Sequence, residues 1–238
     1  MGLAISVGML ADLLVNDEEG AEWFEEDIAK LNGVLATAGR SPHKEPRETD
    51  SIGIGAYGYT GLHHLRRCAA HLHYVGALPA PLKRDEDVTL DERYQTYGAE
   101  FESENAGAEP GAFARASSRQ FDHLIMHDDA EGFYVPQDFD RVLIAGDQAY
   151  GWVGSSYALM RECAKLADAL QLPADLLANG EGAAFADAIK ATAKGGWSLF
   201  GKGKPILWRE HAIASMLCAK LHAAASHSIR TGSLVVFC

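Results

Sequence analysis

Apolar residues recur every three to four positions in several long stretches, and each such spacing predicts an amphipathic helix. From Gly20 to Gly39 the stripe is Phe24, Ile28, Leu31, Leu35 and Ala38, with Glu22, Glu25, Glu26 and Lys30 off it. From Thr60 to Val75 it is Leu62, Leu65, Ala69 and Leu72, and Pro79 and Pro81 stop the pattern. Gly154-Ser-Ser opens a third helix with Met160, Cys163, Ala167 and Leu170 on one face, closed by Pro173. Trp208 to His227 repeats the pattern with Ile213, Leu217, Leu221 and Ala224, and an alanine-rich run predicts a further helix over Glu181 to Lys194. Short apolar runs predict strands over 3–7, 121–127, 132–136, 141–145 and 233–238, with Asp128-Asp-Ala-Glu as the turn between the second and third.

Between these elements, residues 83–119 are polar, acidic and rich in small side chains, which predicts a long surface excursion with a short helix near Leu90 to Tyr97. Helices outnumber strands and do not alternate with them one for one. The expected class is therefore α+β: a single helix-rich domain over 1–238, with a small sheet formed from the N-terminal, central (121–145) and C-terminal strands. Neither a repeat nor a Ser/Gly linker divides the chain.

Composition narrows the function. The 238 residues carry 33 Asp and Glu against 21 Lys and Arg, a net charge of −12. Residues 1–109 hold 20 acidic and 9 basic side chains (−11), and residues 110–238 hold 13 and 12 (−1). Nucleic acid and anionic membrane are thus not expected as partners, because both are bound by Lys and Arg that release counterions. The N-terminus has no basic, apolar leader and no apolar run spans a bilayer, so the expected location is the cytoplasm. Cys68, Cys163, Cys218 and Cys238 form no Cys-x-x-Cys pair and read as reduced thiols.

Several segments imitate chemical motifs. Gly53-Ile-Gly-Ala-Tyr-Gly58 spells G-x-G-x-x-G, but polar residues precede it where a dinucleotide fold needs a strand. Gly196-Trp-Ser-Leu-Phe-Gly-Lys202 resembles a P-loop, yet Gly203 stands where a Ser or Thr must ligate magnesium. His64, Cys68 and His71 fall at i, i+4 and i+7 of one helix and are candidate metal ligands, although i and i+7 lie about 10 Å apart along the axis. His127 and Asp128, with Tyr134 and Asp138 beyond the turn, form a candidate general-base arrangement. As strand residues, His123 and His127 would lie about 13 Å apart, too far to share a metal. Ser155 and Ser156 read as a helix cap. No catalytic motif is complete and no cofactor is expected.

The segment His123-Leu-Ile-Met-His-Asp-Asp-Ala-Glu-Gly-Phe-Tyr-Val-Pro-Gln-Asp-Phe139, with Gly154-Ser-Ser, the first eight residues and the helix bearing Glu22-Trp-Phe, resembles a group of uncharacterised bacterial cytoplasmic proteins. In size and acidity the chain is also similar to immunity proteins of bacterial toxin systems. That analogy implies a protein partner, a basic toxin domain, covered by an acidic surface. Glu22, Glu25, Glu26, Asp85, Glu86 and Asp87 are the expected contacts. The alternatives are a small-molecule hydrolase around His127 and Asp128, and a metal-binding protein using His64, Cys68 and His71.

Overall fold

A computed structural model describes residues 3–55, 59–82, 86–147, 149–179, 183–193 and 206–237. In chain order it comprises β1 (Ala4–Val7), α1 (Met9–Asn16), α2 (Glu18–Thr37), β2 (Ile52–Gly55), α3 (Tyr59–Val75), α4 (Glu92–Asn105), α5 (Asp122–Ile125), β3 (Gly132–Val135), β4 (Leu143–Gly146), β5 (Gly151–Ser155), α6 (Ser156–Leu170), α7 (Ala174–Asn179), α8 (Ala183–Ala193), α9 (Leu207–Glu210), α10 (Ala212–Thr231) and β6 (Val235–Phe237). The fold is α+β, as the patterning implies. Among the described residues no helix is long and apolar enough to cross a membrane.

The strands form one sheet in the order β2-β1-β6-β3-β5-β4. Its pairs are antiparallel except β3 with β5. Strand side chains alternate between two faces. Phe133, Val135 and Val236 face α1 and α2, packing with Phe24, Ile28, Leu31 and Leu35. Tyr134, Val235 and Phe237 face the other way, into a larger core with Leu62, Leu65, Leu159, Leu166, Leu217 and Leu221. The sheet is thus sandwiched between the α1–α2 pair and a layer built on α3, α6 and α10.

The long helices lie where the spacing places them. Asp17 caps α2 by accepting the Gly20 N–H, and Ser155 caps α6 by accepting that of Ala158. Cys68, Cys163 and Cys218 are buried free thiols, in line with their apolar helical settings. Cys238 lies outside the described residues, as do the P-loop-like stretch 196–202 and Asp85.

Four expectations need correction. Residues 121–127 are not a strand; α5 lies there, because Glu162 on α6 accepts the N–H groups of His123 (3.2 Å) and Leu124 (2.8 Å) at the start of its turn. A strand does enter Gly53: β2 pairs antiparallel with β1 by backbone bonds that need no apolar pattern. An antiparallel edge strand is not the parallel βαβ unit of a dinucleotide site. Gly154 and Ser155, read as the opening of the third helix, belong instead to β5 (Gly151–Ser155); Gly154 lets Tyr134 pass, since a Cβ there would lie 2.3 Å from its ring.

The fourth correction concerns 83–119. Its helix is the 14-residue α4, capped by Asp91 and burying Tyr97, Phe101 and Asn105. Phe101 packs edge-on against Trp152 of β5 at 5.0 Å. Beyond α4 the chain flanks β4, with Gly111 N–H donating to Ile144 O (2.7 Å) and Ala114 N–H to Val142 O (2.9 Å). Residues 92–114 are therefore part of the packed fold and cover a sheet edge. Phe101→Ala is expected to lower unfolding free energy by about 3–5 kcal/mol in urea titration. A loss below about 0.5 kcal/mol, the usual cost at a surface position, would restore the excursion reading.

Candidate functional site

The site is organised from α3. Arg66 belongs to the helix's apolar stripe by spacing (Leu62, Leu65, Arg66, Ala69) and is buried. A buried guanidinium must have its N–H groups matched. Arg66 meets this need with α5 and the segment after it: Nε donates to Leu124 O (2.9 Å), Nη2 to His127 O, and Nη1 pairs with the Asp129 carboxylate. His63 holds the second oxygen of Asp129 at 3.1 Å and donates or accepts at Tyr94 Oη at 2.9 Å. Burial works to raise the Asp129 carboxyl; the His63 bond and the Arg66 charge outweigh it and hold it at about 2. Asp128 closes the turn by accepting the N–H groups of Ala130 (2.8 Å) and Glu131 (3.1 Å).

That turn forms one wall of a cavity of about 650 Å³. Glu102 of α4, Asp128, Asp129 and Glu131 of the turn, and Asp147 after β4 line it, and among the described residues no Lys or Arg does. Tyr150 and Trp152 supply aromatic surface. Tyr150 adopts φ 58°, in the left-handed region that L side chains rarely take, and its hydroxyl donates to Asp27 of α2 at 2.7 Å. Through that bond the cavity adjoins the exposed face of α2.

On that face Glu18, Glu19, Glu22, Glu25 and Glu26 are exposed, and Trp23 stands among them 63% exposed. Glu25 pairs with Arg47. The other four carboxylates span eight residue steps, about 12 Å, so their three intervals average about 4 Å. One strand of a DNA duplex carries about one per 3.4 Å. Glu86 and Asp87 are exposed ahead of α4, where Asp87 caps the 3-10 turn Val88–Leu90 through Thr89.

The residues proposed for catalysis do not converge. His127 is buried, stacked on Tyr134 (centroids 4.2 Å apart) and packed on Phe237. Tyr134 spends its hydroxyl on His123 O at 2.9 Å. Asp138 sits at the surface, paired with Arg161 at 2.8 Å.

The metal-ligand set is likewise dispersed. His71 bonds the Asp91 carboxylate at 2.9 Å, which also takes Arg67 Nε at 2.7 Å. Cys68 turns into the core toward His211 Nδ1 at 3.9 Å, and burial pushes its thiol up to about 12. Burial, with Arg67 and His63, lowers His64. Among the described residues no three metal-donor side chains converge, around His123 and His127 included. Sequence reasoning missed Arg66, Asp129, Glu131, Asp147 and Tyr150. Only Arg66 left a signal, a charge on an apolar stripe.

With the geometry in hand, comparison adds one finding: the family model described as "Putative DNA-mimic protein" matches residues 1–237. No curated relative matches the chain. No solved structure matches it. The match overturns the immunity-protein reading and its basic toxin domain, which rested on size and acidity alone; those traits belong equally to a protein that imitates DNA. It does not favour the hydrolase or metal readings either.

Burial depresses His127 to about 4 and His123 to about 3. Unfolding returns each toward its ordinary value near 6.5, so the unfolded chain binds protons first as pH falls. Their contribution is full above about pH 6.5 and is lost as pH drops toward 4. Glu162, raised by burial to about 8, has the opposite slope, contributing below about 4.5 and less as pH rises. The difference between wild type and His127→Phe isolates one histidine. Wild type should lose about 1–3 kcal/mol more than the variant between pH 6.5 and 4 by urea titration. Parallel profiles would mean that His127 does not remain neutral in the folded chain.

Proposed function

The chain belongs to the DNA-mimic family whose model spans residues 1–237, and we propose that it acts by occupying the DNA-binding face of a DNA-binding protein. The partner is a protein whose Lys and Arg side chains normally meet phosphates, and duplex DNA is its competitor. The reading includes a cytoplasmic location, where such partners act.

One observation carries the proposal: the exposed carboxylates of α2 repeat at close to the linear charge density of a DNA strand. The acidic cavity and then Glu102 of α4 adjoin that ridge through the Tyr150–Asp27 bond. A rigid helix holds these charges in place before the partner arrives, and the net charge of −12 steers a basic protein toward it. Glu18, Glu19, Glu22 and Glu26 are the proposed phosphate substitutes, and Glu25, which a basic partner would have to win from Arg47, flanks them. Glu86 and Asp87 lie ahead of α4 as a second group. Trp23 adds an exposed apolar anchor, a residue type enriched at binding hot spots.

The test is capture of host proteins on the tagged full chain, followed by elution with duplex DNA. A stoichiometric DNA-binding protein should be retained at low salt and released by the duplex. Retention of a partner indifferent to duplex DNA would overturn the reading. The triple substitution Glu22→Gln, Glu25→Gln and Glu26→Gln should weaken that partner at least tenfold, mainly through slower association, and flatten the salt dependence. Trp23→Ala should instead speed dissociation. Thermal unfolding should move little in either case, since the side chains are exposed.

A further inference from the structure

We propose that Asp27 is a switch point: a cationic side chain of the partner, docking on α2, takes this carboxylate from the Tyr150 hydroxyl, lets the left-handed Tyr150 backbone relax, and so moves one wall of the acidic cavity. The proposal rests on the DNA-mimic reading and names a response built into that surface. It starts from the backbone. Among the described residues, Tyr150 (φ 58°) and Gln171 (φ 53°) are the non-glycines with positive φ. Gln171 caps the end of α6, an ordinary place for this conformation. Tyr150 has no such role, and a bulky side chain there is strained. Its neighbours Gly146 (56°) and Gly151 (84°) take positive φ freely because they lack a Cβ. A strained residue persists only while its surroundings hold it.

Three contacts hold Tyr150. Its ring lies 5.6 Å from that of Phe133, its carbonyl accepts the Trp152 N–H at 3.0 Å, and its hydroxyl donates to Asp27 Oδ2 at 2.7 Å. Phe133 and Trp152 belong to paired strands, which the sheet fixes. The Asp27 bond is the one open to competition. Asp27 follows Glu26 and lies on the side of α2 that carries Trp23, four residues earlier. Its side chain is 23% exposed, and the exposed Lys30 already reaches its other oxygen at 2.7 Å. Cations therefore have access to this carboxylate. A guanidinium or ammonium brings it an opposite charge together with a hydrogen bond, whereas the neutral phenol brings the bond alone. The exchange gains that attraction and relieves the strain at Tyr150. Tyr150 lines the cavity beside Gly151 and Trp152, so its relaxation alters that wall.

The experiment is a titration of the full isotope-labelled chain with a hexa-arginine peptide at low salt, read by NMR at backbone amides. The Glu22 and Glu26 amides should shift and saturate, and those of Tyr150 and Gly151 should shift with them. Tyr150→Phe removes the hydroxyl that the peptide must displace, so it should bind the peptide about threefold more tightly than wild type. In the free variant the Gly151 amide should already lie toward its peptide-saturated position. Asp27→Asn should abolish the Gly151 response and keep the shifts at Glu22 and Glu26. A merely structural Tyr150 gives the opposite sign, since its loss would weaken binding. Unchanged or weaker binding by Tyr150→Phe would overturn the proposal. So would a Gly151 amide that stays in place while those of Glu22 and Glu26 saturate. The two levels separate: a captured partner that duplex DNA does not displace defeats the DNA-mimic reading, even if Gly151 responds. A DNA-displaceable partner with a silent Gly151 defeats only the exchange at Asp27.

Discussion

Arg66 is a guanidinium in the core, and a buried charge is tolerated only where hydrogen bonds and a counter-charge surround it. Here the backbone carbonyls of Leu124 and His127 and the carboxylate of Asp129 do so. All belong to the stretch from α5 to the turn before β3. Satisfying Arg66 therefore fixes a turn that has little apolar content of its own. The rest of the site follows from that constraint. His127 is pressed against Tyr134 and Phe237, and Asp128, Asp129 and Glu131 are presented to the cavity.

The histidines and carboxylates singled out for catalysis or metal binding are spread over separate contacts. Each group that resembles a catalyst is engaged in holding shape: Tyr134 on His123 O, His71 on Asp91, Asp138 on Arg161. What remains uncommitted faces outward and is negative. Carboxylates on a helix keep their spacing without help from a ligand, so α2 offers an array ordered in advance, which lowers the entropy lost on association. A surface of this kind suits recognition by charge pattern.

Legibility tracked the length of each element. The long helices α2, α3, α6 and α10 repeat their apolar stripe over several turns, and local spacing alone identifies them. In α5 a single turn is at stake, and Phe121, Leu124 and Ile125 fit a helix or a buried strand equally well. The Glu162 carboxylate, thirty-odd residues away, settles the matter by capping its N–H groups. Likewise β2 and β5 contain glycines and little apolar pattern, and each exists because a neighbouring strand offers backbone partners. The helix α4 looked too polar for a core element because only Tyr97, Phe101 and Asn105 of its residues face inward.

By itself the sequence determined the α+β class, the long helices, the terminal strands and the concentration of negative charge in the first 109 residues, since all of these are properties of periodicity and composition. Only tertiary structure decided which carboxylates share a surface. Glu102, Asp129, Glu131 and Asp147 are separated along the chain and meet because Arg66 pins one turn while Phe101 packs α4 against Trp152. Convergence of that kind depends on long-range packing and on matching a buried charge, and neither leaves a local repeat for a sequence pattern to reveal.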